Sequence, residues 1–184
     1  LIAVFLLYIV MLYNNLVQLK HNIGKAWSNI DVLLKQRHDE LPKLVETCKQ
    51  YMQFEQATLD KVMQARAGVA AAREARNIGA LGTAETSLRA GLGALFATVE
   101  AYPELKANAQ IAQLFEELTA TENRVAFARQ AFNDGVTAYN IYRKQFPALL
   151  FAARVGHGVD ASLLKIAEPE LYHQPLRINL TSAS

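Results

Sequence analysis

The sequence is poor in the residues that build covalent or metal-held frameworks. Cys48 is its only cysteine, which excludes an internal disulfide and any structural metal site made of thiolates. The four histidines, His21, His38, His157 and His173, never fall three or four residues apart, so no two of them share a helix face as ligands. Carboxylate-bridged di-metal bundles take a Glu-x-x-His motif from each of two helices, and the sequence does not supply two. No G-x-S-x-G occurs, and the glycines at 79, 82, 91 and 93 lack the Lys-Ser or Lys-Thr partner of a phosphate loop. A net charge of +2, without a dense basic run interleaved with aromatics, argues against nucleic acid as a partner. No β alternation of useful length precedes residue 175. The expectation is a helical protein with no cofactor, no metal, no small-molecule substrate and no enzymatic activity.

What the sequence does have is a long apolar opening. Leu1 to Tyr13 carries no charge, glycine or proline, and the 52% apolar content of the chain is slightly high for a soluble domain. A membrane span needs roughly 20 apolar residues, so the span is expected to begin upstream of Leu1. No small-x-small cleavage site follows Tyr13, as a signal peptide would require. Residues 1–17 are therefore assigned as a transmembrane anchor in the lipid bilayer, with Tyr8 and Tyr13 at the head-group level. Lys20, His21, Lys25, Lys35 and Arg37 follow the span, a basic flank that leans towards a cytoplasmic domain.

The pattern does not stop at the membrane. Leu16, Leu19, Ile23, Ala26, Ile30 and Leu33 recur at steps of three and four, one face of a helix. This first helix is expected to end near Arg37 or His38, because Asp39-Glu40-Leu41-Pro42 reads as the start of a second. The second is expected over about Glu40–Arg76, and a loop over residues 77–82. The third, capped by Thr83, runs Ala84–Ala101, and the fourth about Asn108–Gln145, closed by Phe146-Pro147. At about 1.5 Å per residue the fourth is near 57 Å long, a match for the second. The fold class is all-α: an elongated antiparallel four-helix bundle over residues 18–147 whose first helix continues from the membrane span, standing upright from the bilayer. Residues 148–184 form an apolar and then irregular tail. Asn179-Leu180-Thr181 matches a glycosylation acceptor and is given no weight.

Several polar residues fall on the inner faces: Glu55 and Arg66 on the second helix, and Glu122, Arg129 and Arg143 on the fourth. Buried charges must find partners or reach water, so these five are read as a structural network that fixes helix register. Cys48, mid-helix on an apolar face, is read as a small buried hydrophobe. Trp27 is an inter-helix anchor or a contact for a neighbour, and Leu149, Leu150 and Phe151 are candidate contacts in the apolar segment 148–159.

Five stretches carry a family likeness. They are Tyr13-Asn14-Asn15-Leu16-Val17, then Ala26-Trp27-Ser28-Asn29-Ile30-Asp31-Val32-Leu33-Leu34-Lys35, Leu41-Pro42-Lys43-Leu44-Val45-Glu46-Thr47 and Tyr102-Pro103-Glu104-Leu105-Lys106-Ala107-Asn108. The fifth is Thr121-Glu122-Asn123-Arg124-Val125-Ala126-Phe127-Ala128-Arg129, leading to Tyr139-Asn140 and Phe146-Pro147. In this order, over about residues 13–147, they make the chain resemble the LemA family of bacterial single-pass membrane proteins. Cys48 departs from it, standing where an aliphatic residue is more typical. The resemblance implies one span, an elongated helical bundle, a place in the bacterial inner membrane and no established activity. The functional expectation is a membrane-anchored scaffold that binds itself, as a homo-oligomer, or another membrane protein. The alternatives are an adaptor for a membrane protease in envelope quality control, and last an enzyme using the Glu122/Arg129 region.

Overall fold

The computed structural model describes residues 1–52 and 54–167, and among these it is all-α with no strand. Six helices follow one another: α1 (Ile2–Lys49), α2 (Gln56–Glu74), α3 (Ile78–Glu100), α4 (Pro103–Ala107), α5 (Ala109–Lys144) and α6 (Ala148–Ala152). The described chain forms two units, one of Leu1–Val32 with Ala126–Leu164, the other of Leu33–Val125 with residues 165–167. The Asn179-Leu180-Thr181 triplet and the last two prolines lie outside the described residues.

The expected break near His38 is not there. α1 runs through Asp39 and Pro42 to Lys49, and its inner stripe continues in step as Leu34, Arg37, Leu41, Leu44 and Cys48, all buried. Proline inside a helix removes the N–H that would bond the carbonyl four residues back. Here that carbonyl belongs to His38, and the Nε–H of Arg66 on α2 donates to it at 2.8 Å. A donor from a neighbouring helix replaces the missing one, so the start signal at 39–42 is overridden by packing. The chain turns instead at residues 50–55, where Tyr51 and Met52 donate to the Cys48 carbonyl and Met52 is fully buried.

α2 and α3 form an antiparallel hairpin, with Gly68 facing Ala84 and Gly91 facing Val62. The loop expected at 77–82 shrinks to a tight joint. Asn77 donates to the Ala72 carbonyl and Arg76 to that of Arg73, the bond pair of a Schellman stop with Arg76 in the left-handed position at φ 50°. Asn77 then turns its side chain to accept from the Ala80 N–H at 3.0 Å and caps α3, the role expected of Thr83. Asn108 caps α5 as expected, accepting from Gln110 and Ile111. The core of this unit is leucine-rich, and the Phe96 and Phe115 rings meet in it at 5.0 Å.

The other unit packs α1 antiparallel on the second half of α5. Trp27 stacks on Phe132 at 5.8 Å, Gly135 faces Ile23, and Asn15 reaches the Tyr142 hydroxyl at 3.1 Å. Leu16, Tyr139 and Ala152 form one buried cluster in it, and Ile30, Phe132, Val136, Ala148 and Leu164 are buried in the same unit. Below it, from Leu1 to Tyr13, only Leu12 is buried and Ile9 half-buried. α1 is long and apolar enough at this end to cross a membrane.

Candidate functional site

Of the sequence-predicted polar residues, Glu55, Arg66 and Glu122 lie in the second unit and Arg129 and Arg143 in the first. In the second unit the centre is Arg37, which is 2% exposed and ion-paired with Glu85 on α3 and with Glu122 on α5 at 2.9 Å. Burial works against the charge on this guanidinium, but the two carboxylates outweigh it and hold the group protonated well above its usual range. Glu122 is thus tied, Arg66 serves the His38 carbonyl, and Glu55 sits half-buried just ahead of α2 rather than on its inner face. Beside the trio a groove of about 470 Å³ is lined by Gln36, Glu40, Gln113, Glu116, Glu117, Ala120, Thr121 and Arg124. Gln36 donates to Glu40 Oε1 at 2.7 Å and Thr121 to the same oxygen at 3.3 Å. Glu40 Oε2 and His38 Nδ1 are buried without a partner among the described residues. Burial, and next the charge of Arg66, push the His38 pKa down.

From the sequence, Arg37 is read only as part of the basic flank at a helix end and Glu85 is passed over, although each sits on a stripe. Arg37 falls between Leu34 and Leu41, and Glu85 between Leu81 and Leu88, at steps of three and four. A charge in register with buried leucines was the available signal. The expected boundaries hid it, since Arg37 was placed at a helix end and Glu85 in a first turn. Cys48 is fully buried and its thiol is pushed up to about 11 by desolvation, so it is a poor nucleophile. Among the described residues no group of three His, Cys, Asp or Glu side chains is placed to hold a metal ion.

In the first unit the residues after α6 lie along α5 as a strap. Asn140 exchanges two hydrogen bonds with the backbone of Ala161, both 2.9 Å. Asn133 does the same with Leu164 at 3.1 and 2.9 Å. Two turns of helix cover about 10.5 Å, and three residues of extended chain cover about 10 Å, so the two clamps match the strap's rise. Arg143 ties it further, through Nε to the His157 carbonyl at 3.0 Å and through an ion pair with Asp160. Lys144 and Arg143 hold the Asp160 carboxyl below the usual carboxylate range. His157 is 5% exposed, meets the Tyr139 hydroxyl at 3.0 Å, and has its pKa pushed down by burial and by Lys20. Within the second unit, Ala167 donates to Thr86 Oγ1 at 3.0 Å. A Cβ on Gly82 would collide with the Lys165 carbonyl oxygen, so glycine there is what lets the backbones touch.

A second groove, of about 600 Å³, opens in the first unit between α1 and residues 155–157. It is basic: Lys20, His21 and Lys25 line it with Val17, Gly24, Ser28, Val155, Gly156 and His157. Of the predicted contact residues, Trp27 is half-buried against Phe132, Leu149 and Leu150 are about half exposed, and Phe151 is half-buried. Arg129 is half-buried on α5.

No curated protein matches the chain. The sequence profile of the LemA family matches residues 26–178, starting later than the expected likeness at Tyr13 and running on past Ala148 through the strap. That span is most of the chain, it takes in both the Arg37–Glu85–Glu122 trio and the strap, and on it the chain belongs to the LemA family.

Proposed function

We propose that this protein is a membrane-tethered helical scaffold that acts by contact and has no chemistry of its own. One observation carries the reading. The first turns of α1 expose apolar side chains, Ile2 at 78% and Leu7 at 69%, while the later turns of the same helix bury theirs in a core. An exposed apolar surface of that kind needs lipid or protein around it, and family membership agrees with a membrane setting. The supporting chemistry is that the buried charges are spent on one another, Arg37 on Glu85 and Glu122. In this reading the span lies in a bacterial inner membrane, the basic flank marks a cytoplasmic helical domain, and copies of the chain associate in the plane of the bilayer.

Two measurements test it. Membranes carrying the full chain, washed with alkaline carbonate, retain a spanning protein, and release into the wash overturns the anchor. Cross-linking and light scattering on gently extracted protein give a defined homo-oligomer, and a clean monomer overturns self-association. Co-purification of a membrane protease in place of further copies favours the adaptor.

A further inference from the structure

We propose that α6 and the basic groove beside it are a second membrane contact, built to hold an anionic phospholipid: acyl chains against the α6 face, phosphate against Lys20. The proposal rests on the membrane anchor proposed above, and the argument is one of height along α1.

α5 meets α1 at Asn15, through Tyr142, so everything that follows Lys144 begins at the level where the apolar run of α1 gives way to polar residues. α6 stays there: Ala152 packs with Leu16 and Tyr139, and the Tyr13 ring stands edge-on to His157 at 6.3 Å. At this level the protein leaves large apolar side chains uncovered. Phe146 is 81% exposed, Leu149 55% and Leu150 50%. An apolar patch on a monomer surface is a contact for something. One level with the end of a membrane span is continuous with the surface already given to lipid, and a short apolar element there lies in the interface plane.

The groove supplies the other half of the ligand. It begins at Val17 and rises past Lys20 to Lys25. Lys20 lies about 4.5 Å of helix rise beyond Val17, within the head-group layer that adds roughly 5–7 Å to each side of the hydrocarbon. Helical side chains lean towards the N-terminus, which on α1 is towards the bilayer, so the Lys20 ammonium reaches down to the phosphate level. The groove is open at Gly24, where even an added Cβ would meet nothing within 4 Å. Basic pockets beside a span are suited to anionic head groups, at about 1 kcal/mol for each basic residue near the surface.

The test uses the full chain in vesicles of equal parts phosphatidylglycerol and phosphatidylcholine. Single cysteines replace Leu7, Leu150 or Phe127 and carry an environment-sensitive fluorophore; buried Cys48 stays unlabelled. Phe127 is the control, 76% exposed in the same unit but far along α5 from α6. The label at 150 is quenched by nitroxide lipid and shielded from aqueous iodide, and the label at 127 behaves oppositely. If 7 is quenched by lipid while 150 answers only to iodide, the second contact is overturned and the anchor stands. If 7 also answers only to iodide, the anchor reading fails with it.

The groove is read separately, by the lipid that stays with detergent-extracted protein. Wild type is enriched in phosphatidylglycerol over phosphatidylcholine, and Lys20→Gln loses about fivefold of that enrichment, the equivalent of roughly 1 kcal/mol. Bulk lipid ratios in wild type overturn the site. So does displacement of the lipid by millimolar inorganic phosphate, which marks a free-anion site instead.

Discussion

The two units of this protein hold together by different means. The second is a leucine-rich core with one buried ionic centre, Arg37 between Glu85 and Glu122. The first, which buries Leu16, Ile30, Phe132, Val136 and Tyr139, is fastened in addition by hydrogen bonds from Asn133, Asn140 and Arg143 to a strap of its own backbone. Apolar burial gives about 25 cal/mol per Å² without regard to direction. Each hydrogen bond gives a net 0.5–1.5 kcal/mol or so, and only in one geometry. The first unit thus adds positional definition to its core, and it is the unit that carries the exposed apolar end of α1.

The largest test of this contrast is Arg37→Met. It strands Glu85 and Glu122 and is expected to cost about 3–5 kcal/mol, roughly 6–20 °C in thermal midpoint for a chain this size. Adding Glu85→Gln and Glu122→Gln to the same chain should restore most of the loss. If Arg37→Met unfolds at the wild-type temperature, the second unit does not rest on its ionic centre.

Asn140→Ala should cost about 1–3 kcal/mol, because it leaves the Ala161 N–H and carbonyl without partners. The loss is expected to be local: hydrogen exchange at Ala161 and Leu164 rises by roughly one to two powers of ten, while the α2–α3 hairpin keeps wild-type protection. Global unfolding in this variant would erase the distinction between the units.

Arg76→Gly goes the other way. Arg76 is exposed in the left-handed conformation, which disfavours any side chain, and glycine there should stabilise the hairpin by about 1 kcal/mol in denaturant melts.

The smallest effect is that of pH, and it touches both units. His38 and His157 each have a folded pKa below the ordinary histidine value of 6.5. The neutral form is the one the fold prefers, so their contribution is complete above that value and is lost as pH falls through it towards the folded pKa. The thermal midpoint should thus decline from neutral pH downward. A His157→Gln variant should flatten the decline in strap protection but not that in the hairpin.

How far the sequence disclosed this structure depends on whether a feature was periodic or positional. The helices were legible from the three-four spacing of leucines, and the exposed apolar end of α1 from an uncharged run. Boundaries were not: Asp39 to Pro42 has every residue of a helix start, and only the guanidinium of Arg66, distant in sequence, shows why the helix continues. That one misplaced boundary also hid Arg37, and a late start for α3 hid Glu85. The strap was legible only as an apolar, glycine-bearing tail, because nothing in Ala161 or Leu164 announces that their backbone is what is bound. The predicted network of Glu55, Arg66, Glu122, Arg129 and Arg143 was drawn from helix faces. Faces say which residues point inward, and the structure adds the partners of Arg66, Glu122 and Arg143.

The asparagine clamps have a consequence for how this protein can change. They grip peptide groups, which every residue possesses, so the residues between the two grips, Ser162 and Leu163, are released from any duty of recognition. Between the two grips the path of the strap is specified by α5 and not by the residues that follow it. The letters at 162 and 163 can drift while the course is kept, and inherited constraint should be sought on the helix that holds it, at Asn133 and Asn140.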